Sequence, residues 1–243
     1  AGVPRELGGG GHDISVLSAM LRELARHCSS TALAFSMHTH QVAVPAWRWV
    51  HHKAASVEAL LTRIANERII LLSSGGSDWI ASSGLAEKVG GGFRIAVRKV
   101  FSSGAPIGSL LMTSAVWEGD GCGPQVLHFG IPMNSPHIRI IPVWKAMGMR
   151  GTGSHDIVID GYMVPDDGVT LKRKAGEWHP FFQIMATMAF PLIYAVYLGI
   201  AESARVLVDL KRALRYDRLG VNASVNNIQA MWNNKRLLAT PQF

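Results

Sequence analysis

Two short serine-bearing turns have residue types suited to holding a nucleotide-like ligand. In residues 73–78, SSGGSD, two glycines allow close backbone approach while hydroxyl and amide donors point at an anion, a common way to grip a pyrophosphate. An ordinary hairpin turn has the same composition, and the segment matches neither a P-loop nor a strand-GxGxxG-helix dinucleotide fingerprint. In residues 99–106, KVFSSGAP, the hydroxyls of Ser102 and Ser103 stand next to Phe101, so a flat heterocycle would find donors and a stacking wall together; solvated turn serines are the alternative. A third segment, residues 147–165, MGMRGTGSHDIVIDGYMVP, turns into an alternating strand and offers Arg150, Ser154 and His155 as polar contacts or turn residues. His38 and His40 lie in SMHTHQ. On a helix, side chains two residues apart diverge by about 200°, and neither histidine has a carboxylate four residues on, so no metal site is expected. His51 and His52, beside Trp47 and Trp49, read as surface residues.

The elements that must position these groups fall into three blocks. Ile14, Leu17, Leu21, Leu24 and Cys28 recur at three-and-four spacing and predict an amphipathic helix. Residues 30–44 are apolar nearly all round before Pro45, which suits a helix lying among other helices. Val57, Leu60, Leu61 and Ile64 repeat the helical spacing, giving an N-terminal helical domain over 1–67. Short β-rich runs then follow, IILLSS, GFRIAVRKV, SLLMTSAVW, QVLHFGI, HIRII and HDIVIDGYMV, separated by Gly, Pro, Asn and Ser. Their spacing, without intervening helical windows, predicts a central antiparallel β-barrel or sandwich over 68–170. Helical patterning returns over 171–243 as a C-terminal helical bundle, so the fold class is α+β. Residues 181–201 form a run of 21 without a charge, long enough to cross a membrane. Gln183, Thr187 and Pro191 interrupt it and the helical pattern continues past it, so a buried helix is expected and no membrane span.

With 243 residues, 48% hydrophobic and 17% charged, the chain can build a sizeable core and is not a disordered polymer. Two cysteines, Cys28 and Cys122, rule out a disulfide framework and a four-thiolate metal site, and their scarcity suits a reducing, cytoplasmic setting. The net charge of +7 is spread over scattered Lys and Arg, clustered only at 172–174 and 211–218, which a phosphate-bearing small ligand would explain as well as nucleic acid; no nucleic acid is expected as a partner. No secretory signal opens the sequence, and neither end reads as a natural terminus.

Taken in order, these segments resemble the acyl-CoA dehydrogenase family of flavoproteins, and the resemblance covers nearly the whole chain. SSGGSD stands for the family loop ending GSD, without its Glu-Pro. Val100, Phe101, Ser102, Ser103 and Gly104 stand for the Trp-Ile-Thr-Asn-Gly flavin segment, and GMRGTGSHDIVIDGYMVP is the most specific match. The resemblance implies that Gly76 and Ser77 line the pyrophosphate of FAD and that Ser102 sits near the flavin N5 edge, with Ser103 as second choice. Val100 replaces the usual stacking Trp, so stacking falls to Phe101. A hydroxyl near N5 has a purpose, because a donor there stabilises the charge gained on reduction. Arg215 and Arg218, in RYDRLG, stand nearest the family arginine that reaches a neighbouring subunit's FAD, which implies a homo-oligomer, dimer or tetramer.

The resemblance further implies oxidation of an acyl-CoA thioester: a glutamate removes the α-proton, hydride passes to the flavin, and a separate electron acceptor takes the electrons. Residues 1–243 hold no glutamate at either family position. One family position corresponds to Ala189 and Phe190, the other lies beyond Phe243, and Glu202 reads as a partnered structural charge. A rival therefore stands beside it, the two-component flavin monooxygenases of the same fold, which take reduced flavin, FMN included, from a flavin reductase and need no such base. FSSGAP is closer to that branch. There His38 and His40 would stabilise an oxygenated flavin, as imidazoles manage protons near neutral pH. A non-catalytic homologue or fragment is the third reading.

Overall fold

The computed structural model describes residues 1–74, 78–119, 121 and 123–217, with side chains as far as Arg212. The chain divides into two compact units, Ala1–Ile200 and Ala201–Phe243. Among the described residues, the first holds all the strands and three helices entire. Of the second, the later part of one long helix is described.

Helix α1, Ile14–His27, starts where the Asp13 carboxylate accepts from the Val16 amide at 3.0 Å, satisfying a donor that the first turn leaves free. Its buried face is Leu17, Leu21 and Ala25, the stripe that the spacing predicts. Helix α2, Ser29–His52, runs on through Pro45, and α3, Ala55–Glu67, buries Val57, Leu61 and Ile64. The faces of α2 and α3 close over Leu71 of the first strand. Helix α4, Pro180–Asp217, lays Leu192 and Val196 against Leu17, Leu21 and Ala25 of α1. Gly199 permits that approach: a Cβ there would lie 2.1 Å from the Arg22 carbonyl oxygen.

Eight strands follow: β1 Leu71–Ser73, β2 Leu85–Val89, β3 Gly92–Ser102, β4 Leu110–Trp117, β5 Gln125–Pro132, β6 Ile138–Ile141, β7 His155–Pro165 and β8 Leu171–Lys174. They form one sheet in the order β6-β7-β3-β2-β4-β5-β8, with β1 added beside β4. Buried residues of β7 and β5, near opposite ends of that order, share one core with Phe93, Ile95, Leu111 and Phe129, so the sheet curls around its own interior. The sheet is mixed, where the sequence predicts antiparallel pairing throughout. Both β1 and β2 run parallel to β4, at Leu71↔Leu110 and Leu85↔Val116, as two pieces of one interrupted edge. Since β1 and β2 both run parallel to β4, they are not the two arms of a hairpin. Strand β8 pairs with β5 and extends the sheet past the expected boundary at 170.

The long apolar helix also differs from expectation. The most apolar 18-residue window of α4 has a mean hydropathy of 1.9, and by length and composition alone the helix is long enough to cross a membrane. Only 28% of that window is buried. Phe182, Ala189, Leu192, Ala195 and Val196 are covered, while Tyr194 and Tyr197 are 65% and 52% exposed, because neighbours within the first unit lie on one side only.

Candidate functional site

Strand β3 is irregular where the chemistry concentrates. Its register against β7 runs Lys99↔Ile157 and resumes at Ser102↔His155, so three steps on β3 match two on β7. The extra residue forms a bulge, which re-aims side chains. Phe101 takes a left-handed backbone with φ of +56°, costly by about 1 kcal/mol or more for a residue with a Cβ. Its ring is 59% exposed and meets Trp144 edge-on at 6.1 Å. Trp144 is fixed twice: its backbone amide donates to His155 Nδ1 at 3.1 Å, and its indole Nε1 donates to the Met149 carbonyl at 3.0 Å.

The two serines after Phe101 part company. Ser102 is fully buried and its hydroxyl has no hydrogen-bond partner among the described residues. Ser103 is half-buried, and its Oγ lies 2.9 Å from Ser154 Oγ. Ser154 Oγ in turn lies 2.7 Å from Thr152 Oγ1, which donates to the Met149 carbonyl at 3.0 Å. The Gly104 amide donates to the Thr152 carbonyl at 2.7 Å, with Gly104 at φ +81°. The turn after β3 and the connection from β6 to β7 thus form one unit, with an aromatic corner outside and a line of hydroxyls running inward.

A second polar group anchors the loop that begins at Asp78, which follows residues 75–77 directly. The Lys99 ammonium, 1% exposed, donates to Asp78 Oδ2 and to the Ser83 carbonyl, and the Ser83 hydroxyl donates to Asp78 Oδ1. Burial pushes the Lys99 ammonium below its ordinary range, and Asp78 opposes the shift. Arg173 of β8 holds the same loop through the carbonyls of Trp79 and Ile80 and donates its Nε to His128 Nε2 at 3.0 Å. Burial first, then the charges of Arg173 and Lys99, drive His128 down to about 4. Trp79 stacks between Phe182 and Phe190 of α4, at 6.0 and 5.7 Å. The positions that the resemblance gives to one form of the catalytic glutamate, Ala189 and Phe190, therefore belong to an apolar contact.

His38 accepts a hydrogen bond from the Leu71 amide through Nδ1 at 3.0 Å, which leaves its hydrogen on Nε2. His40 has both ring nitrogens engaged, by the Ser36 carbonyl at 3.2 Å and the Gln41 side-chain amide at 3.3 Å. Burial drives both down to about 4, so both rings are neutral at neutral pH. Gly76, Ser77 and Arg218 lie outside the described residues; Arg215 lies on the described backbone of α4, with its side chain outside them. The structure brings Phe101, Ser102 and Ser103 together with Ser154. To these it adds Thr152, Trp144, Lys99, Asp78 and Arg173. Of the added residues, Asp78, Lys99 and Thr152 fall within the three segments that the sequence marks, without being singled out there; Trp144 lies outside them and Arg173 only in the basic cluster at 172–174. A cavity of about 450 Å³ lies elsewhere, between the N-terminal segment and Ala43, Trp47 and Met188, away from the hydroxyls.

No protein-family model matches the chain. An amino sugar nitrososynthase of Streptomyces peucetius is 28% identical over 218 residues, which is 87% of this chain and 54% of that protein. A cyclohexane-1-carbonyl-CoA dehydrogenase of Geobacter metallireducens is 26% identical over 210 residues, 83% of this chain and 53% of that protein. Among solved structures, a nitrososynthase from Micromonospora carbonacea var. africana superposes with a TM-score of 0.77 at 26% identity, covering 86% of this chain and 55% of that one. KijD3 in complex with FMN and a dTDP-linked amino sugar superposes at 0.72 and 24% identity, over 86% of this chain and 53% of that one, a likeness of fold. The chain spans about half the length of the curated relatives it matches.

Proposed function

Because the chain belongs to the acyl-CoA dehydrogenase-like flavoprotein superfamily, we propose that it is a flavin-dependent oxidoreductase whose FMN or FAD lies against the turn Phe101–Gly104 and the β6–β7 connection. The observation that carries this reading is the β3 bulge, where an exposed aromatic in strained backbone stands beside a hydroxyl line and an orphaned buried hydroxyl. Such a residue set suits a flat ring with hydrogen-bonding edges. When bound, the flavin supplies the electron-transfer chemistry. The protein's residues bind and orient: Phe101 and Trp144 offer two ring faces at right angles, Ser103 offers the accessible hydroxyl, and Ser102 lies sealed behind it. The Lys99–Asp78 pair fixes the residue that directly follows Gly76 and Ser77, which would meet the phosphates.

We take the oxygen-using branch as the form of this activity, with a flavin reductase as partner and a small molecule as substrate. No glutamate occupies the Ala189–Phe190 position, and nitrososynthases are among the relatives. The second reading, dehydrogenation of an acyl-CoA with a separate electron acceptor, is favoured by the likeness to a CoA-thioester dehydrogenase. A homo-oligomer, dimer or tetramer, belongs to either reading, since it would cover the open face of α4 at Tyr194, Tyr197 and Leu198. Purified full-length protein should bind flavin and, with NADH and a flavin reductase, consume oxygen in a substrate-dependent way. Anaerobic bleaching by an acyl-CoA would give the dehydrogenase instead, and a protein that takes up no flavin would be the non-catalytic homologue.

A further inference from the structure

Helix α4 carries Phe182 and Phe190 eight residues apart, a rise of about 12 Å along its axis, with the small Ala186 midway between them. That spacing leaves room for one flat ring. Trp79 fills it, stacked at 6.0 Å and 10° on Phe182 and at 5.7 Å and 12° on Phe190. The contacts continue at both ends: Trp178 meets Phe182 at 5.5 Å, and Tyr194, four residues beyond Phe190, meets that ring at 5.9 Å. The rings thus follow one another in the order Trp178, Phe182, Trp79, Phe190, Tyr194, all within the first compact unit. Phe182 is 1% exposed, whereas Trp178 is 55% and Tyr194 65% exposed, so the stack runs through covered ground and opens at both ends.

Aliphatic side chains would serve packing equally well; what distinguishes the stack is its alternation of indole, phenyl, indole, phenyl and phenol. Indoles and phenols give up one electron far more readily than phenyl rings, so three oxidisable groups are held in series by two bridging rings. Charge gives the series a direction. The Arg173 guanidinium lies over the Phe182 face at 4.6 Å and donates to the Trp79 carbonyl at 2.7 Å, so positive charge on either indole beside Phe182 is opposed. Tyr194 escapes that penalty, because its phenol sheds a proton as it loses an electron and stays neutral. We propose that the stack conducts one-electron oxidation from Trp178 and Trp79 to Tyr194. One electron passes from Tyr194 through Phe190 to the oxidised indole, which is restored with its N–H, while the phenolic proton leaves to water. The resulting phenoxyl radical is quenched when a dissolved thiol gives it a hydrogen atom. Trp79 directly follows Asp78, the partner of Lys99, so the stack adjoins the group that anchors the candidate site's loop. Its use there rests on the flavin reading, in which an oxygen-derived radical that misses the substrate is drawn off to the surface; the conduit itself rests on the rings alone.

The test is pulse radiolysis of the full-length protein, without added flavin, using azide radical. That oxidant takes one electron from an indole, becomes azide, and leaves an indolyl radical after loss of the N–H proton. The wild type should convert indolyl to phenoxyl radical in a fast phase whose rate is independent of protein concentration. Tyr194→Phe removes one exposed oxygen, leaves the packing as it is, and should lose that phase. Trp79→Phe keeps a ring between Phe182 and Phe190 but removes the middle oxidisable group, and should lose it too while helix signal and melting temperature stay near wild type. Tyr197→Phe alters an exposed tyrosine of the same helix outside the stack and should retain the phase. A wild type without the phase, a phase that persists in Tyr194→Phe or in Trp79→Phe, or one that disappears in Tyr197→Phe overturns the conduit and leaves the flavin reading standing. Flavin uptake by untreated protein is measured separately: a chain that takes up no flavin yet shows the phase keeps the conduit and loses the use proposed for it.

Discussion

Mild acid should unfold this protein through three histidines. His38, His40 and His128 are each driven by burial from 6.5 down to about 4, so the folded protein refuses protons that the unfolded chain accepts. A depressed pKa on a basic group means stability that is complete above about pH 6.5, falls as the pH drops through the window from 6.5 to 4, and is gone below it. Each ring is then worth about 3 kcal/mol over the whole window and about 2 kcal/mol at pH 5. Three rings together remove roughly 6 kcal/mol at pH 5, comparable with the whole stability of an ordinary domain. Urea unfolding followed by tryptophan fluorescence at stepped pH should show a midpoint falling steeply below pH 6.5. His128→Gln, which keeps an acceptor for Arg173, should lose about a third of that slope. A midpoint flat from pH 7.5 to 5, or an unchanged slope in the variant, would refute the assignment of neutral buried rings.

Removing one partner of the buried ion pair should be far worse than removing both. Lys99→Met strands the Asp78 carboxylate and should cost about 3–5 kcal/mol, while Lys99→Met with Asp78→Asn should recover much of it, as a double-mutant cycle in denaturant would show. Phe101→Gly relieves the left-handed strain at an exposed position, so stability should stay within about 1 kcal/mol of wild type while flavin affinity drops threefold to tenfold or so. Gly199→Ala drives a methyl into the Arg22 carbonyl and should lower stability by about 1–3 kcal/mol, read as a drop in melting temperature without loss of helix signal in the folded protein.

Legibility followed burial pattern. Helices α1 and α3 were plain because each buries one regular stripe, Leu17–Leu21–Ala25 and Val57–Leu61–Ile64. Strands β3, β4, β5 and β7 declared themselves through β-branched and aromatic runs that became the core. Strands β2 and β8 were missed for the opposite reason. LAEKV buries only Ala86, LKRK buries only Arg173, and both compositions suit a solvated helix as well as a strand. The parallel pairings were invisible because they depend on which strands meet and not on any local period. Within the site, the serines and Phe101 could be read from residue type, but Trp144 and Thr152 are brought in by a bend of the β6–β7 connection. Lys99 stands at a buried position of an alternating strand, and nothing in the local pattern shows that the Asp78 loop folds over it. Segment 181–201 shows the limit of composition: the same apolar run is consistent with burial, a membrane or an open face, and here α1 covers one side.

A pleated strand assigns its residues to two sides by parity, and one surplus residue reverses the assignment for everything beyond it. In an uninterrupted β3, Phe101 would point the same way as Lys99, into the interior, and the hydroxyl of Ser102 would face out; the surplus residue exchanges them. The site's character is therefore encoded in length as much as in side chains. Excising the codon for Val100 would remove the surplus residue, and a regular pleat would then still set Phe101 outside and Ser102 inside, so a relative with a one-residue gap at this point should keep the aromatic wall and lose only the bulge.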